Sequence, residues 1–444
     1  MMSDLTKLGP MGLNALTASE AAAGLESGRF TSEALVRDCL ARIASREPDV
    51  LAWDYLDPDY AIEQARALDA TPRRGPLHGV PVGIKDIFDT EDMPTAHGFP
   101  PYEGMRSGRD ANCVAALRAA GMVILGKTAT TQFACSVPRR TRNPHDPGRT
   151  PGVSSSGSAA AVADFMVPLA NGSQTGGSVI GPAANCGVYG FKASLEGIDR
   201  GGFRHCKPSI DTIGLFARSM EDLILLRSVQ TGENAAAPVE REAMVRVGVV
   251  RTAAWDEAEP AMRAAVERTA DLLARAGALV GGLELPARFT EIVPDFSIQN
   301  GWEAARALET EIRDHLDAFN ALNRERVEFV RGLTEEDYAR ACRNLNAARA
   351  EMNALFDDRD VFLSPSLQGE APVGLDKVHP GVFARLWTQM HTPAVNLPLY
   401  SGPNGLPICF QVIGPKGRDG ATLAFADWID KRLREALGSV PAAA

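Results

Sequence analysis

Hydrophobic positions along the chain alternate between a helical and a strand-like rhythm. Residues 14–70 carry apolar side chains at helical spacing, as in TASEAAAGLESGRFTSEALVRDCLARIASREPD. Thr17 and Thr31 (or Ser32) stand where a helix start needs a capping hydroxyl. HGVPVGIKDIF at 78–88 is a short apolar run with β-branched residues, interrupted by Pro81, and reads as a strand. ANCVAALRAAGMVILGKT (111–128) predicts a helix closing at Gly121 and then the strand MVIL. GSAAAVADFMVPLANGS (157–173) predicts an Ala-rich helix followed by a strand, and VRVGVVR (245–251) a further strand. From about 258 to 358 Ala, Arg, Glu and Leu recur with helical periodicity, and strand-like text returns at 362–365 and 406–413. This alternation predicts an α/β sheet with helices on both faces. No internal repeat or low-complexity linker divides the chain, so a single large domain is expected.

Composition narrows the function classes. At 444 residues and 45% hydrophobic content the chain can bury a substantial core. Its formal net charge of −10 argues against an electrostatic nucleic-acid binder. Seven cysteines, an odd number without CxxC spacing, fit reduced thiols better than a disulfide framework or a zinc site. The start, MMSDLTKLGPMGLNAL, lacks a basic region followed by a long apolar stretch, and no apolar run approaches the ~18 residues of a membrane span. A soluble, cytoplasmic protein with no membrane or nucleic-acid partner is the expectation. The seven histidines show no ligand spacing.

Only eight basic residues are lysines, so a lysine inside an apolar run draws attention. Lys127 closes GMVILGKT (121–128), which matches the phosphate-loop pattern. In a phosphate loop the four residues between the glycines form a turn; Met-Val-Ile-Leu favours a buried strand, and Lys127 reads as a polar residue at its end. Lys85 lies inside VPVGIKDIF, where burial disfavours the ammonium and makes a neutral amine available as a base. Two serine- and glycine-rich loops, TPGVSSSGSAAA (150–161) and GSQTGGSVIGPAANCG (172–187), flank the helix–strand unit at 157–173. The second holds no charge at all. With neither a G-x-S-x-G elbow nor an S-x-x-K motif in the chain, a reactive serine here needs another base, and Lys85 is the candidate.

HGVPVGIKD, TPGVSSSGSAAAVA and GSQTGGSVIGPAANCGVYGFK, in this order and spacing, resemble the amidase signature family of serine amidohydrolases. Similarity extends to the helical start, GKTATTQFA, SIDTIGLFARSMEDL (209–223), LWTQMHTPAVNLPL and GLPICFQVIGP, and is loose from about 230 to 360. The resemblance implies a mixed, mostly parallel central sheet covered by helices on both faces, within one domain over 1–444. Within it, 12–70 forms an N-terminal helical part, 71–225 the signature core, 230–360 a variable and mainly helical part, and 361–435 the C-terminal strands and helix. It also implies a Ser–cis-Ser–Lys triad with the serines 24 positions apart. Ser178 matches the nucleophile, Ser154 the bridging serine after a cis peptide bond, and Lys85 the base, while Ser155 is a supporting hydroxyl. The family's oxyanion hole maps to the backbone N–H groups of Thr175, Gly176, Gly177 and Ser178, donors that contribute roughly 3–4 kcal/mol each. Water resolves the acyl-enzyme, so neither metal nor cofactor is implied; the family allows a homodimer.

Three positions depart from the common pattern. Gln174 stands where many members have Asp, as in a subgroup of short bacterial amidases. Gly181 replaces that subgroup's Arg, which in malonamidase-type members is associated with a substrate carboxylate. Val153 replaces the usual Gly before the bridging serine. Loss of a bidentate clamp leaves a neutral pocket, so the expected substrate is a neutral small molecule: an aryl amide, an anilide or a carbamate. Alternatives are a hydrolase of carboxylated amides and the amidase-like subunit of a tRNA-dependent amidotransferase. Gly181, Trp302 and Trp387 are the candidate pocket positions. Asp211 and Arg218 read as structural.

Overall fold

A computed structural model describes residues 12–135, 140–235, 237–241 and 243–438. The residues at 1–11 that enter the reading of the N-terminus lie outside this set.

Eleven strands form one sheet: β1 (Trp53–Leu56), β2 (Pro81–Lys85), β3 (Val123–Thr128), β4 (Leu169–Gln174), β5 (Tyr189–Lys192), β6 (Thr212–Ala217), β7 (Arg246–Val250), β8 (Leu279–Leu283), β9 (Val361–Pro365), β10 (Ala394–Ser401) and β11 (Pro407–Ile413). Their order is β1-β3-β2-β4-β6-β5-β10-β11-β9-β7-β8. The sheet is mixed, as expected, but not mostly parallel. Six of its ten neighbouring pairs are antiparallel, and the four parallel ones are β3-β2, β2-β4, β9-β7 and β7-β8. Strands β2 to β6 are buried along their whole length. A strand buried on both faces is a continuous apolar run whichever way its neighbour points, so direction is not written in the pattern.

The predicted caps form. The Thr17 hydroxyl accepts from the Glu20 N–H in a capping box before the Ala18–Glu26 helix. Thr31, not Ser32, caps the Ser32–Val50 helix through the Ala34 N–H; each cap contributes about 1 kcal/mol. The N-terminal part is not wholly helical. The second helix ends where Leu51 turns left-handed at φ 55°, and Trp-Asp-Tyr-Leu continues as edge strand β1 against β3. Four residues are too few to show a period. The variable part likewise contains β8, an exposed edge whose Leu-Val-Gly-Gly-Leu has no alternation to read. Among the described residues no helix is long and apolar enough to cross a membrane.

Candidate active site

Lys85 ends β2, between β3 and β4, and is fully buried. Its Nζ lies 2.8 Å from Ser154 Oγ, 2.9 Å from Ser155 Oγ and 2.8 Å from Ser173 Oγ. Among the described residues no carboxylate touches it. Burial holds its pKa well below the ordinary lysine range, opposed only by the more distant charges of Asp211 and Cys135. A neutral amine has two N–H donors and one lone pair, which matches three hydroxyl neighbours. Ser155 in turn donates to the Ser173 carbonyl (3.1 Å) and accepts from the Ser173 N–H (3.2 Å), tying the first serine loop to β4.

The loop before the Ser156–Ala163 helix carries Ser154. Gly152 turns it at φ +112°, a conformation L side chains avoid, and an added Cβ there would sit 2.7 Å from Pro182 Cα. The loop therefore packs backbone to backbone on the Ile180–Cys186 helix, which follows Ser178. The expected cis bond before Ser154 is absent: among the described residues every peptide bond is trans. The turn at Gly152 and the bonds to Lys85 bring Ser154 to its position with a trans bond after Val153.

Ser178 is buried, and its hydroxyl makes no hydrogen bond to any described residue. The backbone N–H groups of Thr175, Gly176, Gly177 and Ser178 also have no protein partner among the described residues. Gln174 braces this loop from below: its Oε1 accepts from the N–H groups of Val179 (2.8 Å) and Ile180 (3.0 Å), and its Nε2 donates to Thr388 Oγ1 (2.9 Å). Asp211 braces it from the side, accepting from the Thr175 hydroxyl with one oxygen and from the N–H groups of Cys206 and Lys207 (2.8 Å each) with the other. Above, Gly381 approaches so closely that an added Cβ would lie 2.8 Å from the Gly176 carbonyl.

The remaining positions separate. Gly181 is buried but not tightly packed, since an added Cβ would meet only Leu367 Cδ2, at 3.7 Å. Trp302 is nearly buried, stacked on Tyr338 at 5.6 Å and covered by the Arg306 guanidinium at 4.0 Å. Trp387 is fully buried beside Phe362 in a core cluster, on the inner face of the Val382–Gln389 helix. Ser173 escapes sequence reasoning altogether. It reaches Lys85 because β4 runs parallel to β2, with Gly83 opposite Ala170, a register that no local pattern carries. The brace role of Asp211 depends likewise on a contact across 36 residues.

Comparison with known proteins agrees with this architecture. The family model described as Amidase matches residues 34–423. The chain is 32% identical to a glutamyl-tRNA(Gln) amidotransferase subunit from Acidothermus cellulolyticus, covering 95% of each. It is 33% identical to an amidase of Pseudomonas putida over 83% of this chain and 82% of that one. Among solved structures, an amidase superposes with a TM-score of 0.86 at 29% identity, covering 94% of this chain and 100% of the other. The peptide amidase of Stenotrophomonas maltophilia superposes with a TM-score of 0.83 at 25% identity, covering 96% and 98%. With a family match over most of its length and relatives aligned nearly end to end, the chain belongs to the amidase family of amide hydrolases.

Proposed function

We propose that this enzyme cleaves C–N acyl bonds of neutral amides, with aryl amides, anilides and carbamates favoured, through an acyl-enzyme on Ser178. The observation that carries the reading is the Lys85 amine, buried among three hydroxyls without a carboxylate. Neutral Lys85 takes the Ser154 hydroxyl proton as Ser154 takes that of Ser178, and the Ser178 oxygen adds to the substrate carbonyl. The free N–H groups of residues 175–178 receive the developing oxyanion. The proton returns through Ser154 to the leaving nitrogen. Water, activated by the same relay, then releases the acid and restores the serine. Ser155 and Ser173 keep the amine aimed at Ser154.

Preference for an uncharged substrate rests on Gly181 standing in place of an arginine, where the nearest side-chain atom to an added Cβ is the apolar Leu367 Cδ2. A carboxylated substrate is the second reading, and one observation favours it. The half-buried Arg385 has no ion pair or side-chain hydrogen bond among the described residues and lies one helical turn beyond Gly381. The test is the initial rate of the isolated chain on an anilide, a carbamate and malonamate, each against a Ser178→Ala background. Faster neutral turnover supports the reading. Faster malonamate turnover overturns the substrate assignment and points to Arg385. An isolated chain inert on all three, with turnover only in a partner complex, would instead favour the role named for the amidotransferase subunit.

A further inference from the structure

Cys135 and Cys206 lie beside the proposed oxyanion loop and take no part in the relay. Lys207 Nζ donates to Cys135 Sγ at 2.9 Å. The Cys135 and Cys206 thiols converge on one carbonyl, that of Phe133, at 2.9 Å from Cys135 and 3.8 Å from Cys206. The backbone that presents Cys135 is unusual: Phe133 and Ala134 are both left-handed, at φ 50° and 54°, conformations that side chains other than glycine adopt at a cost and mainly at functional sites. Cys135 is half-buried, whereas Cys206 is 1% exposed.

We propose that Cys135 is a modification site for hydroperoxide-class oxidants and that Cys206 is its resolving partner. The Cys135 thiolate attacks one peroxide oxygen; the O–O bond breaks, hydroxide (or alkoxide) leaves and takes up the proton that the thiol had released, and Cys135 becomes a sulfenic acid. The Cys206 sulfur then attacks the Cys135 sulfur; the S–S bond forms, the S–O bond breaks, and the departing hydroxide carries off the Cys206 proton as water. Two sulfurs together lose two electrons, and the peroxide gains them.

Electrostatics support the assignment of roles. The neighbouring Cys206 thiol, then the charge of Lys207, brings the Cys135 thiol down to about 5 against burial and the opposing charge of Asp211. Cys206 is held well above its ordinary value by the neighbouring Cys135 sulfur and by burial. By contrast, burial pushes Cys39 and Cys409 up to about 12. The consequence for activity runs through one residue. The N–H groups of Cys206 and Lys207 both bond Asp211, whose other oxygen holds the Thr175 hydroxyl. A disulfide at 206 therefore pulls on the anchor of the oxyanion loop.

The experiment treats the full-length protein with a small excess of hydrogen peroxide and follows intact mass, peptide linkage and amide hydrolysis. The expected result is loss of two hydrogens, a 135–206 cross-linked peptide, and a drop in turnover of order 10²-fold, reversed by dithiothreitol. Cys206→Ser should stop at a dimedone-trappable sulfenic acid on Cys135. In untreated protein, iodoacetamide at pH 6 should label Cys135 roughly tenfold faster than free cysteine, because the larger thiolate fraction outweighs the weaker nucleophile, and Lys207→Met should remove that advantage. Labelling of Cys135 no faster than that of half-buried Cys342, or oxidation without the 135–206 link, would overturn the proposal. Mass and labelling need no substrate, so their failure is distinct from failure of the amidase reading.

Discussion

Two lysines are fully buried at the ends of neighbouring strands, Lys85 on β2 and Lys127 on β3, and they have opposite surroundings. Lys127 has an anion: Asp86 lies 3.2 Å away, and the carbonyls of Phe88 and Pro94 and the Thr95 hydroxyl complete its shell at 3.0, 3.1 and 2.6 Å. Lys85 has three hydroxyls and, among the described residues, no anion in contact. Burial lowers the pKa of both, but at Lys127 the Asp86 charge and hydrogen bond pull it back up. Burial alone therefore does not make a base. A buried lysine becomes one when its partners can exchange protons with it instead of fixing its charge.

The same substitution at both sites is the severest test of that contrast. Lys85→Met should reduce kcat by roughly 10⁴-fold or more with little loss of stability, since the methionine leaves only neutral hydroxyls behind. Lys127→Met should instead cost about 3–5 kcal/mol of stability, read from urea unfolding, because Asp86 loses its cation. If both variants were folded and equally inactive, the contrast would collapse.

The pH dependence sharpens it next. The folded pKa of Lys85 is depressed, so kcat/KM should rise with pH as the amine loses its proton and level off below the ordinary lysine range. Stability has the same sign in this case. Between the folded pKa and the unfolded value of about 10.4, the unfolded chain binds more protons, so unfolding free energy rises with pH across that window. Lys85→Met should remove this part of the slope, which denaturant titrations at several pH values would detect.

Gly181→Arg asks whether charge at the pocket can be restored. The site admits a Cβ with only the Leu367 contact, and a new guanidinium should shift relative kcat/KM toward malonamate by about tenfold, the worth of one charge-assisted hydrogen bond. No shift would place the substrate away from residue 181. The smallest effect is expected at Asp211→Asn. It keeps the shape but weakens the anchor on Thr175, and should lower kcat about 3- to 10-fold while KM changes little.

Legibility follows the range of the interactions. Local signals hold: the capping hydroxyls Thr17 and Thr31, the rejected phosphate loop, whose GKT lies inside β3, and the order of the alternating elements. Strand β1 is invisible because four residues show no period, and the antiparallel pairs because fully buried strands do not record direction. At the site, Lys85 is visible as a rare lysine in an apolar run, and Ser154 only through the family resemblance. That Trp387 packs in a core cluster is not legible, because an aromatic at helical spacing does not say which face of its helix is buried.

By itself, the sequence determined that this is a large α/β protein with a lysine and two serine loops set aside from its charged surface, for which residue type and periodicity suffice, and the resemblance of its motifs added the amidase family. The tertiary structure alone decided that Lys85 faces Ser154, Ser155 and Ser173, that Gln174 and Asp211 brace the glycine loop, and that Cys135 meets Lys207. Those contacts join segments as far as 214 residues apart, the separation of Gln174 from Thr388. They depend on strand register and helix packing, which are set by burial across the whole sheet and not by any neighbouring residue.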